Sequence, residues 1–167
     1  LFGLILLLID SCQVVHRISQ RFLHRKESKS FLFEVDEINT LNHHAKSFQG
    51  VAYKNGGVDQ SGMDCSGLLF RVYADFNYMI PRLTHQQALY GIDQTLNTIN
   101  VGDWVFFKTN GSSNINHVGI VTKVISPKEV LFIHASTSKG VREDNLFSNY
   151  WFNVYVKVIR PYKNISN

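Results

Sequence analysis

The 167-residue sequence predicts an α+β fold, with N-terminal helices packed on a mostly antiparallel β-sheet. Three- and four-residue apolar periodicity is confined to the first half of the chain, whereas runs rich in Val, Ile and Phe between short turn signals fill the second. The length suits one compact domain and is too short for two ordinary ones. A composition of 44% hydrophobic and 18% charged residues points to a packed core rather than a disordered chain.

The elements follow in order. Residues 36–48 carry Ile38, Leu41, Ala45 and Phe48 at helical spacing, with Asp36 as the expected cap and Gly50 as the stop. A glycine-rich loop follows at Tyr53-Lys54-Asn55-Gly56-Gly57. Asp64-Cys65-Ser66-Gly67 opens a second helix running to about Phe76, its apolar stripe formed by Leu68, Leu69, Val72, Tyr73 and Phe76, and Pro81 prevents its continuation. Residues 84–90 fit a short helix. Strands are then expected at 103–108, 117–124 and 130–134, the last two joined across Ser126-Pro127-Lys128, and at 154–160 before Pro161.

Before these elements stands an unbroken apolar run, residues 1–9, followed by Asp10-Ser11-Cys12. Nine helical residues reach about 13–14 Å, well short of the ~30 Å hydrocarbon core of a bilayer. The run reads as the apolar core of an export signal whose start is missing, since no Met or basic leader precedes it. The domain organisation expected is therefore a partial signal at 1–12, a basic tether at 13–35 and a folded domain at 36–163. Five of the seventeen basic residues (Arg17, Arg21, Arg25, Lys26 and Lys29) fall on the tether. From residue 31 onward twelve basic residues meet eleven acidic ones, so the net charge of +4 does not mark the body as a nucleic-acid binder.

Cys65 is the thiol with a chemical context. Asp64 as N-cap would place it in the first turn of a helix, near the positive end of the dipole and free N–H groups that lower a thiol pKa and receive an oxyanion. Gly67 is expected to let a substrate backbone come close. His117 begins the strand His-Val-Gly-Ile-Val, in which Gly119 leaves an open approach, and His134 ends the neighbouring Val-Leu-Phe-Ile-His. An antiparallel pairing brings both histidines to one end of the sheet, directly opposite each other if the register allows. A Cys–His pair with a second His orienting the first is the chemistry that results. The bland alternative is a buried core cysteine and two satisfied strand histidines. A zinc site drawing on Cys65, His117, His134 and His85 lacks any short C-x-x-C or H-x-x-x-H spacing, and no metal or other cofactor is expected.

Five blocks in order, Tyr53-Lys54-Asn55-Gly56-Gly57, Asp64-Cys65-Ser66-Gly67, Gly102-Asp103-Trp104-Val105-Phe106-Phe107, His117-Val118-Gly119-Ile120-Val121 and Phe132-Ile133-His134-Ala135-Ser136, resemble the NlpC-type cell-wall cysteine peptidases. The resemblance covers residues 36–161 and implies a papain-like fold. It implies Cys65 as nucleophile, His117 as general base and acid, and His134 as the orienting residue. It places Tyr53 near the oxyanion, Asp64 and Ser66 where the family reads the free amino end of a stem peptide, and Arg82 where a carboxylate contact or a structural ion pair is expected. The implied substrate is the peptidoglycan stem peptide, cut between γ-linked D-glutamate and a diamino acid such as diaminopimelate. The interval between His117 and His134 exceeds the family's, so an extended hairpin is expected.

The sequence Ile9-Asp10-Ser11-Cys12 resembles a bacterial lipoprotein cleavage site, which implies lipidation of Cys12 and anchoring to a membrane of the cell envelope, in the outer membrane or periplasm, with plain secretion as the alternative; a monomer is expected. The alternatives within the same reading are an amidase or acyltransferase using the same Cys–His chemistry, and a non-catalytic wall-binding lipoprotein.

Overall fold

The computed structural model describes residues 32–164. The apolar run, Cys12 and nearly all of the expected tether lie outside the described residues.

Helix α1 (Val35–Ser47) starts one residue before the expected position. Its N-cap is Glu34 rather than Asp36, because the Glu34 N–H donates to the Glu37 carboxylate at 2.9 Å, three residues on. Leu41, Ala45 and Phe48 are buried as the periodicity predicts. Phe33, assigned to the tether by sequence, packs edge-on against Tyr73 and Tyr78 at 5.4 and 4.8 Å, so the folded body begins before residue 36.

The glycine-rich loop is followed by a two-stranded hairpin, β1 (Val58–Asp59) and β2 (Gly62–Met63), that leads into α2 (Cys65–Ala74). Leu68, Leu69, Val72 and Tyr73 of α2 are fully buried. Phe76 is not part of that stripe: the helix ends at Ala74 and Phe76 is 36% exposed. A single turn, α3 (Thr84–Gln87), follows.

The remaining strands are β3 (Gly91–Gln94), β4 (Trp104–Phe107), β5 (His117–Ser126), β6 (Glu129–Ser136), β7 (Gly140–Asn145) and β8 (Tyr155–Pro161), with helix α4 (Asn149–Val154) before the last. They form one antiparallel sheet in the order β3-β8-β4-β5-β6-β7. The C-terminal strand β8 is thus interior, between β3 and β4. Trp104, Phe106, Val118, Ile120 and Ile133 meet the helices on one face, whereas Val105, Phe107, Phe132 and Trp151 form a second core on the other. Burial on both faces explains why β4 reads Trp-Val-Phe-Phe without alternation.

The β5–β6 hairpin is extended in its strands, not in its loop. Ser126 pairs with Glu129, leaving a two-residue turn, and the ten- and eight-residue strands absorb the extra length with two register shifts. Gly119 does not open an approach for a ligand. A Cβ at this position would lie 2.6 Å from a Phe132 ring carbon, 2.7 Å from the Ile133 carbonyl and 3.1 Å from the His134 Cβ. The glycine lets β6 side chains lie flat across β5. Gly119→Ala should therefore lower stability by about 1–3 kcal/mol, the range for an overpacked core, as read from the urea midpoint.

Candidate active site

Cys65 is the first residue of α2. The Asp64 carboxylate accepts the Gly67 N–H at 2.6 Å, which caps the helix and places the thiol in its first turn as predicted. The sulfur lies 3.8 Å from the Thr84 hydroxyl and 3.8 Å from the Asn116 carbonyl oxygen. Burial pushes the thiol pKa up, against the opposing pull of the Thr84 hydroxyl and the Val118 and Ser66 N–H groups, with the Asp64 charge adding to the rise. On balance burial favours the protonated thiol. Thr84 was placed by sequence only as a helix start; its distance in sequence from Cys65 gave no sign that its hydroxyl reaches the sulfur.

His117 and His134 meet, but not directly across the ladder. Ile120 pairs with Ile133, which sets His134 beside Gly119, and the imidazoles join diagonally with Nε2 of His117 3.0 Å from Nδ1 of His134. Nε2 of His134 lies 3.0 Å from Asp144 Oδ2. The Trp151 indole stacks on His117 (5.3 Å between centroids, 21° between planes) and meets His134 edge-on at 4.7 Å. Asp144 also accepts from Arg142 at 2.6 Å and from the Trp151 indole N–H at 3.2 Å.

Simple donor–acceptor counting orders the protons along this row. An ionised carboxylate only accepts, so His134 must carry its proton on Nε2. Its Nδ1 is then a lone pair and takes the Nε2–H of His117, leaving His117 Nδ1 as the free base. Burial acts against the Asp144 carboxylate, but the His134 hydrogen bond and charge, the Trp151 N–H and the Arg142 charge outweigh it and hold the pKa below the ordinary value. Burial, reinforced by the charge of His134, pushes His117 down to about 3. His134 is lowered by burial first and by Arg142, against the contrary pull of Asp144.

Asp144, Arg142 and Trp151 were missed by sequence reasoning. The first two lie on β7, whose Gly-Val-Arg-Glu-Asp-Asn run has no strand-like alternation of apolar residues, and Trp151 lies on a helix too short to show periodicity. The expected Cys–His hydrogen bond is not made. Among the described residues the thiol bonds to Thr84 and Asn116, while the His117 ring is held by His134 and Trp151. The thiol does lie against the main chain on both sides of His117, through Asn116 and Val118.

Asp64, Ser66 and Arg82 come together differently from expectation. The Asp64 carboxylate accepts from the Gly56 and Gly67 N–H groups, from the Ser66 hydroxyl and from two Arg82 nitrogens, at 2.6–3.1 Å. Five donors exhaust its roughly four lone-pair sites, and the Ser66 hydroxyl in turn accepts from Arg82 at 2.9 Å. The Asp64 carboxylate is thus filled by the chain's own donors, the Ser66 hydroxyl keeps one lone pair beyond the one that accepts from Arg82, and Arg82 forms an ion pair with Asp64. Gly67 is likewise structural. A Cβ there would stand 2.0 Å from the Gly57 carbonyl, so the space expected for substrate holds the chain's own loop. Tyr53 lies within electrostatic reach of the thiol. Burial and the neighbouring Cys65 and Asp64 raise its phenol pKa and keep it a hydrogen-bond donor.

A model of the NlpC/P60 family matches residues 50–160, about two thirds of the chain. The chain belongs to the NlpC/P60 family. It is 41% identical over 112 residues to a protein named probable endopeptidase NlpC from Escherichia coli, covering 66% of this chain and 70% of that one. It is 38% identical over 124 residues to a probable endopeptidase of Haemophilus influenzae, covering 74% of each. The crystal structure of an NlpC/P60 family protein from Bacillus cereus superposes with a TM-score of 0.67 at 24% identity. That match covers 74% of this chain and 40% of the Bacillus cereus chain, and supports the α+β fold.

The buried imidazoles make the site sensitive to acid. Above pH 6.5 both folded and unfolded His117 are neutral. Below it the unfolded chain takes up a proton that the folded site refuses until about pH 3, so stability falls as pH falls through this window. Glu37 and Asp144, both lowered in the fold, add to the loss only below about their ordinary values of 4.5 and 3.8. The urea midpoint should therefore decline between pH 6.5 and 4.5, and His117→Gln should flatten that decline. A midpoint constant across this interval would contradict the assigned burial.

Proposed function

We propose that this chain is a cysteine endopeptidase that hydrolyses peptidoglycan stem peptides, with Cys65 as nucleophile. The observation that carries the reading is the row Asp144–His134–His117, which leaves one imidazole nitrogen of His117 free, while the main chain flanking His117 lies against the thiol at a helix N-terminus. In this reading His117 Nδ1 takes the Cys65 proton as sulfur attacks the scissile carbonyl. N–H groups of the first turn of α2, together with the Tyr53 hydroxyl, hold the oxyanion. The tetrahedral intermediate collapses with cleavage of the C–N bond, and the proton on His117 passes to the departing amine. A water, activated by the same nitrogen, then hydrolyses the thioester and restores the thiol.

His134 orients His117 and fixes its tautomer, and Asp144 does the same for His134. With burial favouring the protonated thiol, proton transfer to His117 belongs to the substrate-bound state. Catalytic hydrogen bonds are often long in an empty site and tighten around substrate.

The bond assigned is that between γ-linked D-glutamate and diaminopimelate. A relative from Bacillus subtilis, 36% identical over 74 residues that cover 44% of this chain and 25% of that one, is named gamma-D-glutamyl-L-lysine dipeptidyl-peptidase, which supports the γ-D-glutamyl side of this choice and names lysine on the other. An Escherichia coli relative, 31% identical over 126 residues, is named murein DD-endopeptidase and murein LD-carboxypeptidase, which makes the D,D bond the second reading. Lipidation of Cys12, and with it anchoring of a monomer in the cell envelope, belongs to the same proposal and rests on the Ile9-Asp10-Ser11-Cys12 sequence alone.

The test is mass spectrometry of purified stem peptides and their cross-linked dimers after incubation with the protein and with its Cys65→Ala variant. Cleavage after D-glutamate that disappears in the variant is the expected result. Cleavage at the cross-link would transfer the assignment to the D,D bond. Binding without turnover would replace the enzyme with a wall-binding protein.

A further inference from the structure

A base that works at His117 must become an imidazolium in a place that disfavours charge. The residue is 7% exposed, and burial together with the charge of His134 pushes its pKa down to about 3. Taking the Cys65 proton therefore calls for a group that receives the cation as it forms. We propose that this group is the indole face of Trp151, which makes Trp151 a positioning residue that acts through His117. The inference rests on the peptidase reading and adds a residue to its machinery.

Geometry selects the indole among the rings that meet His117 in the described residues. Trp151 lies nearly parallel to the imidazole, with 5.3 Å between centroids and 21° between planes. Phe107 is tilted by 48° at 6.1 Å, and His134 stands at 77° and shares the Nε2 proton. An aromatic face attracts a cation within about 6 Å, Trp more than Phe, and more strongly where water is excluded. Trp151 is 9% exposed, so the stacked pair is shielded.

No charged neighbour answers the imidazolium as directly. Asp144 reaches His117 only through the His134 ring. Arg142 on β7 and Lys139 in the turn before it are cations, and both oppose a further positive charge. On the α2 side Asp64 is taken up by Arg82 and by its own backbone donors. The Cys65 thiolate is the other product of the same proton transfer.

The indole is also held in place at its far end. Its N–H donates to Asp144 at 3.2 Å, and Phe107 and Phe132 pack on it at 4.8 and 5.2 Å between centroids. Donation to an anion polarises the ring system and makes its face more negative. Asp144 thereby supports the base twice, once through His134 and once through Trp151.

The test grades the electron density of the indole while keeping its shape. The whole protein is prepared with mono-, di- and trifluorotryptophan in place of tryptophan, and stem-peptide hydrolysis is followed. Trp104 is replaced as well, so the same series in Trp151→Phe reports what Trp104 contributes. Fluorine withdraws density from the face but makes the N–H a better donor to Asp144, so the two contacts of Trp151 respond in opposite directions. The expected result is a stepwise fall in kcat, about tenfold or more over the series, with KM changed less than about twofold and no trend in Trp151→Phe. A kcat that stays level or rises with fluorination would overturn the inference and leave the peptidase reading standing. Alkylation of Cys65 by iodoacetamide at pH 7 draws on the same proton transfer and needs no peptide. If no peptide is cut, an alkylation rate that falls with each fluorine would uphold the inference while the peptidase reading fails. A rate indifferent to fluorine would overturn it.

Discussion

Two imidazoles buried side by side must agree on where their protons lie, and the carboxylate at the end of the row decides the matter. Asp144 accepts from His134, which obliges His134 to accept from His117, which leaves His117 Nδ1 free. The fold exists around this constraint. The β5–β6 register brings the rings within 3.0 Å, β7 delivers Asp144, and Trp151 from α4 covers both rings. Gly119 allows the close approach of the strands, and His134, the Trp151 N–H and Arg142 keep the half-buried carboxylate ionised.

A second constraint works on the opposite side of the thiol. Asp64 caps α2, pairs with Arg82 and ties down the loop at Gly56, so three segments distant in sequence meet at one carboxylate. Burying that charge is tolerable because every lone pair is used. The cost is that the residue is unavailable to a substrate.

Much of the architecture was legible because the periodic signals were strong. The Leu68-Leu69-Val72-Tyr73 stripe and the Trp-Val-Phe-Phe strand each bury what their patterns demand. The two histidines at one end of the sheet followed from antiparallel pairing of consecutive strands, although the diagonal contact depended on register shifts that sequence does not mark. Edge strands β3 and β7 were invisible because edges carry polar and charged residues and show no apolar alternation. Asp144 was hidden for the same reason. The roles first given to Gly67 and Gly119 failed in an instructive way: a missing side chain shows that something approaches closely, and in both places the visitor is this chain itself.

The account stands most directly on the tautomer of His117. Long-range proton–nitrogen correlation spectra of the 15N-labelled protein at pH 7 read the protonation of each ring nitrogen. The expected result is His117 and His134 both neutral and both protonated on Nε2. A His117 protonated on Nδ1, or charged at this pH, would contradict the ordering imposed by Asp144 and with it the assignment of His117 as the waiting base.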